Sequence, residues 1–433
     1  MGESPVKRSF RFRFYPDAAQ ATELSKTFGC VRKVYNLALA ARSEAWARLE
    51  RVNYGQTSAL LTAWKQSEEL SYLAEVSCAP LQQALRHLQS AFAAFWGRRS
   101  GYPRFKAKRR HRASAEYTRS AFRYRNGELT LAKMSSPLPV VWSRRLPEGV
   151  EPTTATVSRD AAGRWFVSLL CEDIPASMPA TTAAVGIDAG LTALVTLSTG
   201  EKVPNPRHER GDRKRLARAQ RQLSRKEKGS SNRAKARIRV ARIHARIVDR
   251  RRDHLHKLTT RLVRENQTLV IEDLAVRNML KNDKLARAIS DAAWRELRRM
   301  LEYKAAWYGR ELVVVDRWFP SSKLCSACGD IAATMPLNVR TWTCEGCGAV
   351  HDRDGNAAVN LLAAGSAVSA CRADGRPLRG PSRQAVRSEA GNPPARVGTG
   401  SPKRDRQAKQ ARLGVSNAAP PSAMPADTLR TSS

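Results

Sequence analysis

The spacing of apolar and polar residues changes along this chain, and the changes mark its parts. Lys7–Tyr15, KRSFRFRFY, alternates basic with aromatic side chains and predicts a strand, which Pro16 stops. From Asp17 to Arg48 the period becomes helical, with Leu24, Phe28, Val31, Val34 and Leu37 on one side. A further helix is expected after Ser77, whose hydroxyl can cap it, with Pro80 in its first turn. Its apolar stripe, Leu81, Leu85, Leu88, Phe92 and Phe95, should pack on the earlier helices. Tyr117–Cys171 is broken into short runs by Gly and Pro, such as ELTLA, TATVSRD and RWFVSLLC, and predicts a set of strands. Ala183–Thr199 predicts two more strands and a tight turn. Asp188 ends the first of them, and Gly186 and Gly190 flank it, where they are expected to let a metal and a phosphate approach the backbone. Thr268–Leu274, TLVIEDL, predicts a short strand ending in Glu272 and Asp273. Leu285–Tyr308 predicts one helix and Leu312–Asp316 a buried strand. NAAVNLLAAG, from Asn356, predicts a short helix with Asp354 just before it, where the helix dipole favours a carboxylate.

Charge adds a partner to this outline. The 433 residues carry a formal net charge of +37, with a pI near 10.8. That excess is more than solubility requires and implies a polyanion. A chain of this length is expected to form about two to four domains. The most basic part is 207–265, with 22 Lys and Arg against 6 Asp and Glu. Gly229-Ser230-Ser231-Asn232 interrupts it, so it predicts a helical hairpin with a cationic face for a phosphate backbone, and Arg213, Arg221, Arg225 and Arg237 are candidate contacts. A second basic stretch, GYPRFKAKRRHR at 101–112, interleaves Arg104, Lys106, Lys108, Arg109 and Arg110 with Tyr102 and Phe105. That mixture suits phosphate neutralisation together with base stacking. No apolar run approaches the ~20 residues of a membrane span, and MGESPVKRSF has no signal-peptide apolar core. A cytoplasmic, nucleoid-associated protein with no membrane partner and no small-molecule substrate is expected. From 366 to 433 Gly, Pro, Ser, Ala and Arg dominate, with 12 Lys and Arg against 4 Asp and Glu, and a disordered basic tail is expected.

Four of the eight cysteines form two CxxC knuckles, Cys325 with Cys328 and Cys344 with Cys347, each followed by a glycine, Gly329 and Gly348. Two such pairs fit a closed tetrahedral zinc site of the ribbon kind. Four thiolates leave no open position for water, so one Zn²⁺ ion is expected, with a structural role. The scattered Cys30, Cys78, Cys171 and Cys371 are expected to be reduced thiols.

FPSSKLCSACG, the second knuckle and HDRDGNAAVNLL closely resemble the C-terminal half of the TnpB family, transposon-encoded proteins related to the type V CRISPR effectors. The resemblance runs from about Val6 to about Gly365. It implies a multi-domain α+β fold. A β-barrel (wedge-like) domain would comprise 1–16 and 113–175, with a helical recognition insertion at 17–112. An RNase H-like, RuvC-type α/β nuclease domain would comprise 176–320 and 350–365, include the 207–265 hairpin and receive a zinc ribbon at 321–349. Motif by motif, GIDAG supplies Asp188, VIEDL supplies Glu272 and DRDGNAA supplies Asp354 as catalytic acids holding two Mg²⁺ ions. Asp352 is the alternative to Asp354, and Asp273 the alternative to Glu272, although its side chain should point to the opposite strand face. The implied activity is RNA-guided DNA endonuclease, acting on double-stranded target DNA as a monomer with RNA from its own transposon end. Two other readings use the same residues. One is an unguided transposase or resolvase, and the other is a non-enzymatic zinc-ribbon DNA-binding regulator, for which a cluster of carboxylates would have no use.

Overall fold

The computed structural model describes residues 5–108, 111–336 and 338–373. The first element, β1 (Val6–Phe14), is followed by α1 (Ala18–Ala47), α2 (Tyr54–Gln66) and α3 (Cys78–Trp96). Asp17 opens α1 with a reciprocal capping box to Gln20, as Asn53 does for α2 with Gln56. Ser77 precedes α3 but its side chain makes no capping bond, so the expected hydroxyl cap is absent. Of the α3 stripe, Leu81, Leu85, Leu88 and Phe92 are buried with Val34, Tyr35, Ala38 and Leu39 of α1, whereas Phe95 is only partly covered.

The chain then forms β2 (Ala113–Thr118), β3 (Phe122–Arg125), β4 (Glu128–Leu131), β5 (Val140–Val141), β6 (Pro152–Arg159) and β7 (Trp165–Asp173). A five-stranded sheet has the order β2-β6-β7-β1-β5, and β3 pairs with β4, whose Leu129 also bridges Leu138 just ahead of β5. Sheet and hairpin share one core, with Phe12, Phe14, Tyr117, Leu129, Leu131, Val167 and Leu169 buried in it. The Leu129–Leu138 bridge links the hairpin to the segment that enters β5, and β2 pairs with β6 at the far end of the sheet.

The next part carries the acids. It consists of β8 (Ala184–Ala189), β9 (Ala193–Leu197), β10 (Lys202–Pro204), α4 (His208–Ser224), α5 (Ser231–Glu265), β11 (Thr268–Glu272), α6 (Val276–Met279), α7 (Ala286–Ala292), α8 (Trp294–Trp307) and β12 (Glu311–Val315). The sheet order is β10-β9-β8-β11-β12. β10, β9 and β8 are antiparallel, whereas β8, β11 and β12 are parallel. The basic stretch forms the expected hairpin, α4 and α5, with Ser230 capping α5. The single helix expected over 285–308 is instead two, because Ala293 takes a left-handed conformation, φ 56°. The kink lets Ile289, Ala292, Trp294 and Leu297 all enter the core with Leu255, Leu258 and Leu262 of α5. Buried Lys304 pins α8 to α5, donating to the His256 carbonyl at 2.8 Å and to the Thr259 and Thr260 hydroxyls at 2.7 Å. Burial holds its ammonium down at about 8.

A small hairpin, β13 (Thr341–Thr343) with β14 (Val350–Asp352), leads directly into α9 (Arg353–Ala373). This helix runs past residue 365, so the expected tail begins in helix; 374–433 lie outside the described residues. It crosses β8 at close range. A Cβ on Gly186 would lie 2.0 Å from the Ala358 carbonyl oxygen, and one on Gly365 would lie 2.4 Å from a Val270 methyl carbon. The expected role of Gly186, approach of a metal or phosphate, is thus replaced by the approach of a helix backbone. At Gly190 the near neighbour is the Ala193 carbonyl, 2.9 Å from a built Cβ, so the hairpin's own turn accounts for it.

Gly186→Ala should therefore lower stability by about 3 kcal/mol or more, since a backbone carbonyl must move. Gly211→Ala is the control. It lies in α4 with nothing within 4 Å of a built Cβ, and alanine there should stabilise by about 0.5–1 kcal/mol. Urea midpoints measure both; equal midpoints for the two variants would contradict the packing constraint.

Candidate active site and metal centre

Asp188 and Glu272 lie at neighbouring strand ends. Ile187 pairs with Ile271 in the parallel ladder, so the two acids follow at the same level. Glu272 is in turn level with Val315 of β12. Asp354 stands in the first turn of α9, the helix held against β8. Three elements distant in sequence thus bring these carboxylates into one electrostatic field. The carboxyl of Asp188 is enclosed although the residue as a whole is only partly covered, and burial is the largest cause of its rise to about 7. The charges of Asp354, Glu272 and Asp352 raise it further, and Arg353 opposes them. Glu272 is also raised, by burial first and then by Asp273.

The two alternative acids are otherwise engaged. Asp273 is bonded to both Arg298 and Arg317, and these hydrogen bonds hold it below the usual carboxylate range. Asp352 accepts from Lys202 Nζ at 2.7 Å and from the Gly355 N–H at 2.9 Å. Burial would raise it, but these partners hold it low. Asp352 thus caps the helix, and Asp354, expected just before it, lies in its first turn. Asp354 has only Arg340 nearby, with Nη1 3.5 Å from Oδ1.

The cysteines form a separate centre. Cys325 and Cys347 sulfurs are 3.7 Å apart, and those of Cys328 and Cys344 are 3.6 Å apart. A tetrahedron with Zn–S of about 2.3 Å has S···S edges of about 3.8 Å, so the set fits zinc. Gly329 and Gly348 have φ of 81° and 73°, the left-handed turn that each knuckle requires. Among the described residues this is the one group of three or more such ligands whose atoms all lie within 4.8 Å of one another. The three carboxylates are set more widely. His351, unforeseen from sequence, places Nε2 3.0 Å from the Cys325 sulfur and meets Trp342 across the hairpin in a tilted ring contact, centroids 5.1 Å apart. Burial opposes ionisation of Cys325, but the N–H groups of Cys328 and Ala327 and the His351 ring bring its thiol to about 6.

Asn356 and Asn360 were also missed as functional positions. They are buried, one turn apart on α9. Asn356 donates to the Leu324 carbonyl at 2.7 Å and accepts from the Ser326 N–H at 2.9 Å. Asn360 donates to the Ser321 and Leu324 carbonyls at 2.9 and 2.7 Å. The chain on both sides of Cys325 is thereby fastened to the helix that carries Asp354. The signal in the sequence was NAAVN, two amides at helical spacing inside an apolar run, where a buried amide needs partners.

The candidate nucleic-acid contacts divide. Arg104, Lys108, Arg221, Arg225 and Arg237 are exposed. Arg213 is also exposed but pairs with Glu209 at 2.9 Å. Lys106 is half-buried, its ammonium 3.8 Å from the centre of the Tyr35 ring, so packing takes up that cation. Arg109 and Arg110 lie outside the described residues. Tyr102 leans edge-on against Phe92 and Phe95, whereas Phe105 is exposed.

Comparison with known proteins first defines a class. Residues 167–283 match a family model described as "Probable transposase" (OrfB_IS605), 294–361 match "Cas12f1-like, TNB domain", and 1–51 match a helix-turn-helix domain of the same OrfB group. A Streptomyces pristinaespiralis protein described as "Putative RNA-guided DNA endonuclease" is 68% identical over 399 residues, covering 92% of this chain and 99% of that one. InsQ of Escherichia coli (strain K12), with the same description, is 34% identical over 398 residues, covering 86% and 96%. The Cas12f1 chain of a solved Cas12f1–sgRNA–target DNA complex shares the fold, with a TM-score of 0.52 at 14% identity, over 83% of this chain and 99% of that one. The chain belongs to the TnpB family.

Two measurements test the site. The raised carboxyl of Asp188 contributes stability that is complete below its unfolded pKa and lost as pH rises through about 7. Asp188→Asn should therefore melt higher than the parent in Mg²⁺-free buffer, by a margin that grows from pH 5 to about pH 7 and then levels at a few kcal/mol. A margin that is constant with pH would show that Asp188 is not held protonated. For the ribbon, Cys325→Ser should lose zinc. Asn356→Ala should keep zinc yet lose about 1–3 kcal/mol through orphaned buried backbone groups. Zinc content and melting, read together, distinguish the ligand from the fastening.

Proposed function

We infer that this chain is an RNA-guided DNA endonuclease that hydrolyses phosphodiester bonds of target DNA in a RuvC-type site. The observation that carries the reading is the common field of Asp188, Glu272 and Asp354, with the neighbouring Asp273 and Asp352 engaged by cations of the chain. The sheet supports an RNase H-like core, since three antiparallel strands are followed by two parallel ones and a helix that returns across them. The descriptions of the two relatives support the guided activity.

Asp188, Glu272 and Asp354 would hold two Mg²⁺ ions. When bound, such ions lower the pKa of the attacking water and offset charge on the phosphate oxygens. The donors fit, being hard oxygens of the kind that Mg²⁺ prefers. The chain's own residues supply the rest. Burial first, then the neighbouring acids, raise the Asp188 carboxyl to about 7, so near neutral pH it could exchange its proton for a cation. Lys202 and the Gly355 N–H keep Asp352 at the start of α9, which orients the turn that carries Asp354. The exposed arginines of α4 and α5 suit the backbone of an RNA–DNA duplex, leaving sequence to base pairing. The guide is inferred to come from the protein's own transposon end, and a cytoplasmic monomer with RNA is inferred. No helix among the described residues is long and apolar enough to cross a membrane.

The transposase description of one family model favours a second reading, direct strand transfer without a guide. Protein purified with and without transposon-end RNA, assayed on plasmid matching the guide, separates the two. RNA-dependent cutting is expected; equal cutting without RNA, or joined products from transposon-end DNA alone, would overturn the guided reading. Asp188→Ala, Glu272→Ala and Asp354→Ala should each lower cleavage by at least about 100-fold and leave RNA binding within about twofold. Asp352→Ala should be milder, near the ~1 kcal/mol of a lost helix cap.

A further inference from the structure

A cleft of about 730 Å³ opens beside Glu272, between the segment that follows β11 and the helix α8. We propose that it holds the base of one nucleotide of the cleaved strand, next to the scissile phosphate. This rests on the reading of Glu272 as part of a phosphodiester-cleaving site. The size lies within the range of about 300–1,000 Å³ of small-ligand pockets.

The chemistry of the walls selects the occupant. The apolar lining includes Leu274, with Trp294 and Leu297, 4% and 5% exposed, behind it in the core. Arg277 and Arg295 also line the cleft, and no ion pair engages either among the described residues. An apolar lining beside unpaired cations complements a nucleotide, which joins a planar base to an anionic phosphate. Neither a lipid tail nor an acidic peptide would use both features. The cleft is also preformed. Arg298 and Arg317, which line it as well, are tied to Asp273, so the wall nearest Glu272 is held without a ligand. Leu280, 41% exposed, stands at the opening. Because Glu272 itself lines the cleft, a base seated there belongs to a nucleotide whose phosphate is within reach of the acids. Strands with a base at that position would be held in register for cleavage, and strands lacking it would not.

The test uses the full chain in Mg²⁺-free buffer and a fluorescent tetranucleotide containing 2-aminopurine, compared with an abasic tetranucleotide of the same charge. The base-bearing strand should bind about tenfold tighter, the scale expected for one stacked base. Leu280→Glu and Arg277→Ala, each checked for an unchanged melting temperature, should reduce that preference to about twofold or less. Equal affinity of the two strands for the parent protein would overturn the proposal, as would a preference unaltered in both variants. Competition by adenosine monophosphate as strong as by the tetranucleotide would assign the cleft to a free nucleotide and overturn the strand-bound version. In guided cleavage, abasic scanning of the cut strand should reveal one position where base loss slows the parent about tenfold and Leu280→Glu no further. Base preference in binding without any guided cleavage would leave the cleft standing and remove the endonuclease reading. Guided cleavage with no base preference would do the reverse.

Discussion

A Cβ on Gly186 would sit 2.0 Å from a carbonyl oxygen of α9, and a Cβ on Gly365 would sit 2.4 Å from Val270. Gly186 lets α9 approach β8, and Gly365 lets the same helix approach the neighbouring strand β11. This close approach sets the distance between β8 and the helix that begins at Arg353, and hence how near Asp354 comes to Asp188. Side chains at either position would lift the helix off the sheet. The acids would then be separated even if every one of them were intact. Backbone contact is a stiffer spacer than interleaved side chains, which can change rotamer to absorb a shift. That stiffness suits a site whose rate is sensitive to displacements of about 1 Å.

The same helix is held at its other side by the zinc module. Asn356 and Asn360 fasten the residues around Cys325 to α9, and His351 touches the Cys325 sulfur one residue before Asp352. The first knuckle, the second knuckle and the start of α9 are therefore joined within a few residues of one another. A module of this size has little core of its own, so its folding depends on the metal. A metal held by the four cysteines would thus act on the acids through hydrogen bonds to a helix.

The sequence revealed the parts that have a period or a fixed spacing. The CxxC pairs, the α3 stripe, the strands ending in Asp188 and Glu272, and the hairpin over 207–265 all have local signatures, and all are present. What it concealed depended on neighbours distant in the chain. Gly186 looked like room for a ligand because its true neighbour, Ala358, is far away in sequence. Ala293 gave no sign of a left-handed kink, since alanine is a strong helix former and the core overrides that preference. Lys106 looked like a phosphate contact because nothing local indicated the Tyr35 ring. The choice between Asp352 and Asp354 was open in sequence, and it turns on Lys202, a residue of a short strand that periodicity did not reveal.

The treatment of charge around the acids is the most informative contrast. In a chain with a net charge of +37, cations are plentiful. Asp273 receives two arginines, and Asp352 receives a lysine and a backbone N–H. Asp188 and Glu272 receive no ion pair among the described residues, and Asp354 has only an exposed arginine at the edge of contact. Leaving the enclosed Asp188, the partly covered Glu272 and a third acid nearby without close partners lowers stability at neutral pH, the direction in which burial raises Asp188. Evolution of a merely structural acid cluster would have no reason to keep that cost when a single Lys or Arg on β8, β9 or α9 could remove it. The missing positive charge is one that comes from solution, either as protons or as divalent cations. Only cations, at the pH of a cell, leave the carboxylates able to share a ligand with phosphate.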